Sequence, residues 1–295
     1  PTSCGWAIDH PAESYRGLVG QAVVIARDDG TGDIQSRALP VKVLNALDGP
    51  VVTRIFDAAS QGLLEAAQLP RGACCLEVGA GAGSIAAWLA ERVGEEGEVV
   101  AVDLDASFLH ARSSAARMRI VEADVRRAGL AASYFDAAHA RYVLVHNADW
   151  EALIDAVIAC LKPGAAIVLE EPDFTAAKAC VGKDARAFDR VNAAICGMFR
   201  DAGKDPALGT RLPSSLEARG LRVERTDNSA PLCRGGDPLA TMMAMSTEQL
   251  GAKYMATGLV DEGDLAGYAR FAADPSAWGI YYATIGVLAR NPDPK

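Results

Sequence analysis

The sequence predicts an α/β domain built on a mostly parallel sheet with helices on both faces. Three observations predict it. Short apolar runs, among them Ala73-Cys74-Cys75-Leu76-Glu77-Val78 and Glu98-Val99-Val100-Ala101-Val102-Asp103, alternate with segments of helical spacing. Strands buried on both faces read as near-continuous apolar stretches of this kind. The first run ends in a glycine cluster that opens a helix, as a strand–loop–helix unit does. A chain of 295 residues, half of them hydrophobic, is also long enough to bury a sizeable core.

In chain order, residues 1–40 are weakly patterned, with a turn at Asp28-Asp29-Gly30-Thr31-Gly32-Asp33. Residues 41–68 have helical spacing. Gly49-Pro50 divides that run into two helices, with Pro50 in the first turn of the second, where its missing N–H costs nothing. Strands are predicted over 73–78, 98–103, 119–122, 135–145 and 165–170. Helices are predicted over 85–92 and over 150–161, the latter stopped by Lys162-Pro163-Gly164. Beyond Phe174 the spacing predicts helices over 185–202 and 212–218, an alternating strand over 221–225, a helical stretch over 238–272 and a final strand over 279–288. One domain results, with its core in 45–173, 205–232 and 278–291. A helical cap is expected from 1–44, 174–204 and 237–273.

Formal net charge is −9 and the densest basic cluster is only Arg126-Arg127. Nucleic-acid binders carry a basic face, so none is expected among the partners. The seven cysteines are odd in number and form no C-x-x-C pair. They read as free thiols of a reducing cytoplasm, with no metal site. No secretory signal and no apolar span of membrane length is evident.

The segment Leu76-Glu77-Val78-Gly79-Ala80-Gly81-Ala82-Gly83-Ser84 carries the strongest chemical signal. Glycine suits a backbone that turns tightly and approaches a ligand, and the helix start offers free N–H groups to a carboxylate. A dinucleotide fingerprint counted from Gly79 wants a third glycine at position 84, which is Ser. The glycines fall instead at alternate positions after an acid. This pattern resembles the first motif of class I S-adenosylmethionine-dependent methyltransferases. The likeness runs from about Ala73 to Asp173 and is nearest to small-molecule enzymes of the ubiquinone/menaquinone and natural-product type.

That resemblance implies a Rossmann-like sheet of seven strands and a cofactor site of Glu77, Gly79, Gly81, Gly83, Asp103, Leu104, Asp124, Val125, Ala140 and Arg141. Asp103 would accept the ribose hydroxyls, Leu104 would pack on adenine and Asp124 would take the adenine amino group. Ala140 and Arg141 would edge the methionine end, Arg141 through its backbone alone in the blander reading. It implies methyl transfer to an O, N or C atom of a small molecule. In related sugar methyltransferases a His after the fourth strand and an acid after the fifth flank the substrate, which points to His146 and Glu171 as catalytic groups. Asp105 reads as a helix N-cap, Asp136 as structural and His139 as a satisfied core histidine. Met242, Met243 and Met245 read first as core packing and second as a substrate pocket. A homodimer is compatible with the N-terminal helices. The competing readings are a nicotinamide-dependent oxidoreductase and a non-catalytic cofactor-binding relative.

Overall fold

The structure, a computed structural model, describes residues 49–110 and 118–292. The sequence expectations for residues 1–48, including the first helix and part of the cap, lie outside the described residues. Helix α1 (Gly49–Ala66) begins at the Gly49-Pro50 break. Strand β1 (Cys74–Val78) leads through the glycine loop into α2 (Ser84–Val93), and β2 (Glu98–Asp103) into the short α3 (Ser107–His110). Then come β3 (Met118–Glu122), β4 (Phe135–Arg141), α4 (Trp150–Ala159) and β5 (Leu161–Asp173). The order continues with β6 (Lys178–Val181), α5 (Ala185–Asp201), α6 (Leu212–Ala218), β7 (Arg222–Ser229) and β8 (Cys233–Arg234). It ends with α7 (Pro238–Ala256), α8 (Glu262–Ala273), β9 (Trp278–Ile280) and β10 (Ala283–Arg290).

Seven strands form one sheet in the order β3-β2-β1-β4-β5-β10-β7. Pairings from β3 to β5 are parallel and only β10 runs against its neighbours. The mostly parallel, Rossmann-like sheet expected from sequence is therefore present. Because side chains alternate along a strand, each central strand feeds both faces. Leu76, Val78, Val100 and Val102 enter one core cluster. Cys75, Val99 and Ala101 enter the other, with Leu63 and Leu64 of α1 and Ile85 and Leu89 of α2.

The strand expected over 135–145 ends at Arg141. Tyr142 adopts φ 57°, a left-handed conformation that costs a non-glycine residue roughly 1–2 kcal/mol, and Leu144–His146 then form a 3₁₀ turn. The fifth strand is longer than its apolar run. It already starts at Leu161 and absorbs the Lys162-Pro163-Gly164 stretch at an irregularity in its pairing with β4. The single helical stretch over 238–272 is two helices, separated at Gly258 (φ 72°) and restarted by an Asp261/Asp264 capping box. The final strand is divided, and its first part, β9, pairs with β6 and β8 in a separate three-stranded antiparallel sheet. β6 and β8 are absent from the sequence expectation because they are too short to show periodicity.

Candidate functional site

The C-terminal ends of β1, β2 and β4 meet where ligands bind in open parallel sheets. Gly79, Gly81 and Gly83 have φ of 65°, 54° and 78°. A Cβ at Gly79 would lie 2.3 Å from Val143 Cγ2, and one at Gly83 would lie 2.8 Å from Leu109 Cδ2. Conformation and contact thus both require glycine at these two positions. The loop is tied to the next strand, because Gly81 N–H donates to Asp103 Oδ2 at 2.8 Å. Asp103 Oδ1 accepts from Asp105 N–H at 3.0 Å. Next to this buried carboxylate, Leu104 is 65% exposed, an apolar side chain presented to solvent beside the loop.

Asp124 accepts the N–H of Arg126 at 2.9 Å and pairs with its guanidinium, which holds the carboxyl below the usual range. Val125 beside it is buried. Ala140 is buried in β4, while the Arg141 side chain turns back to α1, donating to Ser60 Oγ at 2.7 Å and Asp57 Oδ1 at 2.8 Å. Asp105 Oδ1 accepts from Ser107 N–H, as an N-cap does. Asp136 is structural, accepting from Cys74 N–H and pairing with Lys162.

Glu77 does not point at the loop. Its carboxylate lies 2.8 Å from His139 Nδ1, and His139 Nε2 lies 3.0 Å from Glu170 Oε2. The three side chains sit on one face of β1, β4 and β5 and are each at most 4% exposed. An imidazole that donates to a carboxylate from both nitrogens is the doubly protonated cation. Burial pulls the His139 pKa down, but the two carboxylates outweigh it and raise it to about 9. Sequence reading placed His139 in the core and missed its partners. Alternation offered the signal, because Glu77, His139 and Glu170 fall on the same side of adjacent strands.

His146 and Glu171 come together differently from the sequence expectation. Glu171 is fully buried. Its Oε1 accepts from Val143 N–H (2.9 Å) and Leu144 N–H (2.7 Å), and its Oε2 from Val145 N–H (3.1 Å). Burial pushes this carboxyl up to about 8 while the three amides pull it down. These three bonds anchor the turn that carries His146. The His146 ring packs against Phe199 at 6.2 Å, and its buried Nδ1 has no hydrogen-bond partner among the described residues. Burial, with a smaller contribution from Lys204, lowers its pKa to about 4.

A cavity of about 320 Å³ opens on the α1 side of the same sheet end, lined by residues of α1, β5, β7 and β10 and by the segment leading into α7. No methionine lines it, and Met242 and Met243 are buried core residues, in keeping with the packing reading. Among the described residues no cluster of His, Cys, Asp and Glu could hold a metal ion. No described helix is long and apolar enough to cross a membrane.

A family described as methyltransferase domain matches residues 52–203, just over half of the 295-residue chain. Similar folds occur in a candidate methyltransferase from Bacillus halodurans C-125 (18% identity, 80% of this chain and 99% of that one, TM-score 0.54). The [4+2]-cyclase SpnF is similar over 81% of both chains (17% identity, TM-score 0.52). Phosphoethanolamine N-methyltransferase 2 of Haemonchus contortus, solved with phosphomonomethylethanolamine and S-adenosylhomocysteine, is similar at 16% identity (TM-score 0.52). That match covers 82% of this chain and 56% of the other. Among curated proteins none matches the chain.

Proposed function

Because the chain belongs to the methyltransferase-domain family, we propose that it transfers a methyl group from S-adenosylmethionine to a small molecule. The carrying observation is the junction of β1 and β2: three left-handed glycines, an Asp103 carboxylate bonded to Gly81 N–H, and an exposed Leu104. This set fits the cofactor chemically. Each Asp103 oxygen accepts one backbone N–H and keeps a lone pair for a ribose hydroxyl. Leu104 offers apolar cover to an adenine ring, and Asp124 with Val125 offers its edge a polar and an apolar contact. The start of α2 supplies N–H groups to a carboxylate. Ala140 and Arg141 border the methionine end, Arg141 through its backbone, since its side chain is committed to α1.

The bound cofactor supplies a methyl group on a sulfonium, whose leaving group needs no help. The protein's part is alignment, exclusion of water and, for a hydroxyl acceptor, removal of a proton. His146, held neutral at physiological pH by its burial, is our candidate to take that proton. A small-molecule acceptor is supported by the ligand of the Haemonchus enzyme and by the size of the cavity. Ser84 in place of a third glycine disfavours a nicotinamide dinucleotide.

Calorimetric titration with S-adenosylhomocysteine, and separately with NAD(H), tests the reading. Micromolar binding of the first and none of the second is expected. Binding of NAD(H) alone would overturn it.

A further inference from the structure

The cavity beside β5 has a chemistry of its own. Its walls are mostly apolar, with Ile55, Phe56 and Leu63 from α1 and Leu239 from α7. Its polar lining among the described residues includes Glu170, Asp227 and Asp237, and no Lys, Arg or His. The Asp227 charge is matched outside by Arg225. Those of Glu170 and Asp237 are not matched from within the cavity.

Glu170 is the informative group. It is 2% exposed, and its Oε2 is committed to His139. Directly across the antiparallel pair stands Gly286, which also lines the cavity. A Cβ built there would meet Leu63 at 2.5 Å and lie 3.8 Å from Glu170 Oε1. The missing side chain keeps open the space toward that oxygen, close to the Ser60 hydroxyl.

The surrounding charges do not balance. Glu77, Glu170 and Asp57 carry three formal negative charges, and His139 and Arg141 carry two positive ones. A buried network of this kind is stabilised by one more positive charge. The cavity also adjoins the cofactor end of β4, because Thr284 of its lining bonds the hydroxyl of Tyr142, and Phe56 stacks edge-on against the Tyr142 ring at 5.2 Å.

We propose that this cavity is the acceptor site and that the acceptor is an apolar molecule bearing a protonated amine, its ammonium at Glu170 and Asp237 and its body along α1. The assignment as acceptor site rests on the methyl-transfer reading. The selectivity for a cation does not.

The test uses three probes of one shape: 4-phenylbutylamine, 4-phenylbutan-1-ol and 4-phenylbutyrate, titrated calorimetrically into the full chain with and without S-adenosylhomocysteine. The amine is expected to bind at least ten-fold more tightly than the alcohol, and the butyrate not at all. Ala59→Trp, at an exposed α1 position lining the cavity, should abolish amine binding and leave S-adenosylhomocysteine affinity unchanged. Asp237→Asn should reduce the preference for amine over alcohol several-fold. Equal binding of the three probes, preference for the butyrate, no binding of any, or amine binding untouched by Ala59→Trp would each overturn the proposal. Failure of S-adenosylhomocysteine to bind the wild type while the amine binds would instead sink the methyl-transfer reading.

Discussion

Replacing His139 by leucine keeps most of the side-chain volume and removes the one cation that lies between Glu77 and Glu170. The two carboxylates are then left in the core at 4% and 2% exposure, and at least one must take up a proton or remain charged without a partner. Protonating a carboxyl whose ordinary pKa is about 4.3 costs about 4 kcal/mol at pH 7 and about 1 kcal/mol at pH 5. The first figure agrees with the roughly 3–5 kcal/mol lost on breaking a buried ion pair. Urea unfolding at both pH values measures the difference from wild type. The expected destabilisation is about 4 kcal/mol at pH 7, shrinking to about 1–2 kcal/mol at pH 5. Adding Glu77→Gln should recover part of the loss at pH 7. A loss below about 1 kcal/mol at pH 7, or the same loss at both pH values, would refute the account of His139 as a charged bridge.

Wild-type stability should fall as pH rises from about 6.5 to about 9, since the raised pKa values of His139 and Glu171 act in the same sense there. The His139 contribution is full below about 6.5 and is lost as pH rises toward about 9, on the order of 3 kcal/mol in all. His146, held neutral, works in the opposite sense, and its effect is lost as pH falls from about 6.5 toward about 4. Unfolding free energies that rise steadily from pH 6.5 to 9 would contradict this. Gly79→Ala places a Cβ against Val143 at a left-handed φ. It should cost roughly 1–3 kcal/mol of stability and weaken S-adenosylhomocysteine binding, and an unchanged dissociation constant would count against the loop as the cofactor cradle. His146→Gln should lower turnover at saturating cofactor, by about 10²-fold if the acceptor is a hydroxyl, with cofactor affinity nearly intact. Unchanged turnover removes it as the base.

The central sheet was legible in the sequence because buried parallel strands announce themselves as apolar runs, and β1 and β2 begin and end close to where their residues suggest. Legibility failed where tertiary partners override local pattern. The apolar run continues past Arg141, yet Glu171 draws three successive amides out of strand geometry and Tyr142 turns left-handed. Nothing local announces such a clamp, since its donors are backbone atoms 26 to 28 residues away in sequence. The adjacent acids Glu170 and Glu171 look alike in sequence, and strand alternation sends them to opposite faces with different work to do. The left-handed turns of the glycine loop were readable because glycines at alternate positions carry that conformation in their residue type. The partners of Arg141, Asp57 and Ser60 on α1, were not, because a helix face carries no label for the strand it will meet.

The small antiparallel sheet draws together β6, β8 and β9, three segments separated by long stretches of chain. Its middle strand, β9, comes last in sequence, so neither outer strand has a neighbour until nearly the whole polypeptide is made. The small sheet is consequently stitched from several excursions of the chain instead of being one insertion. Exchanging a single excursion with that of a relative would leave a strand edge unpaired. An exchange with a relative must therefore move all three segments together, and truncation before β9 removes β10 from the middle of the main sheet as well.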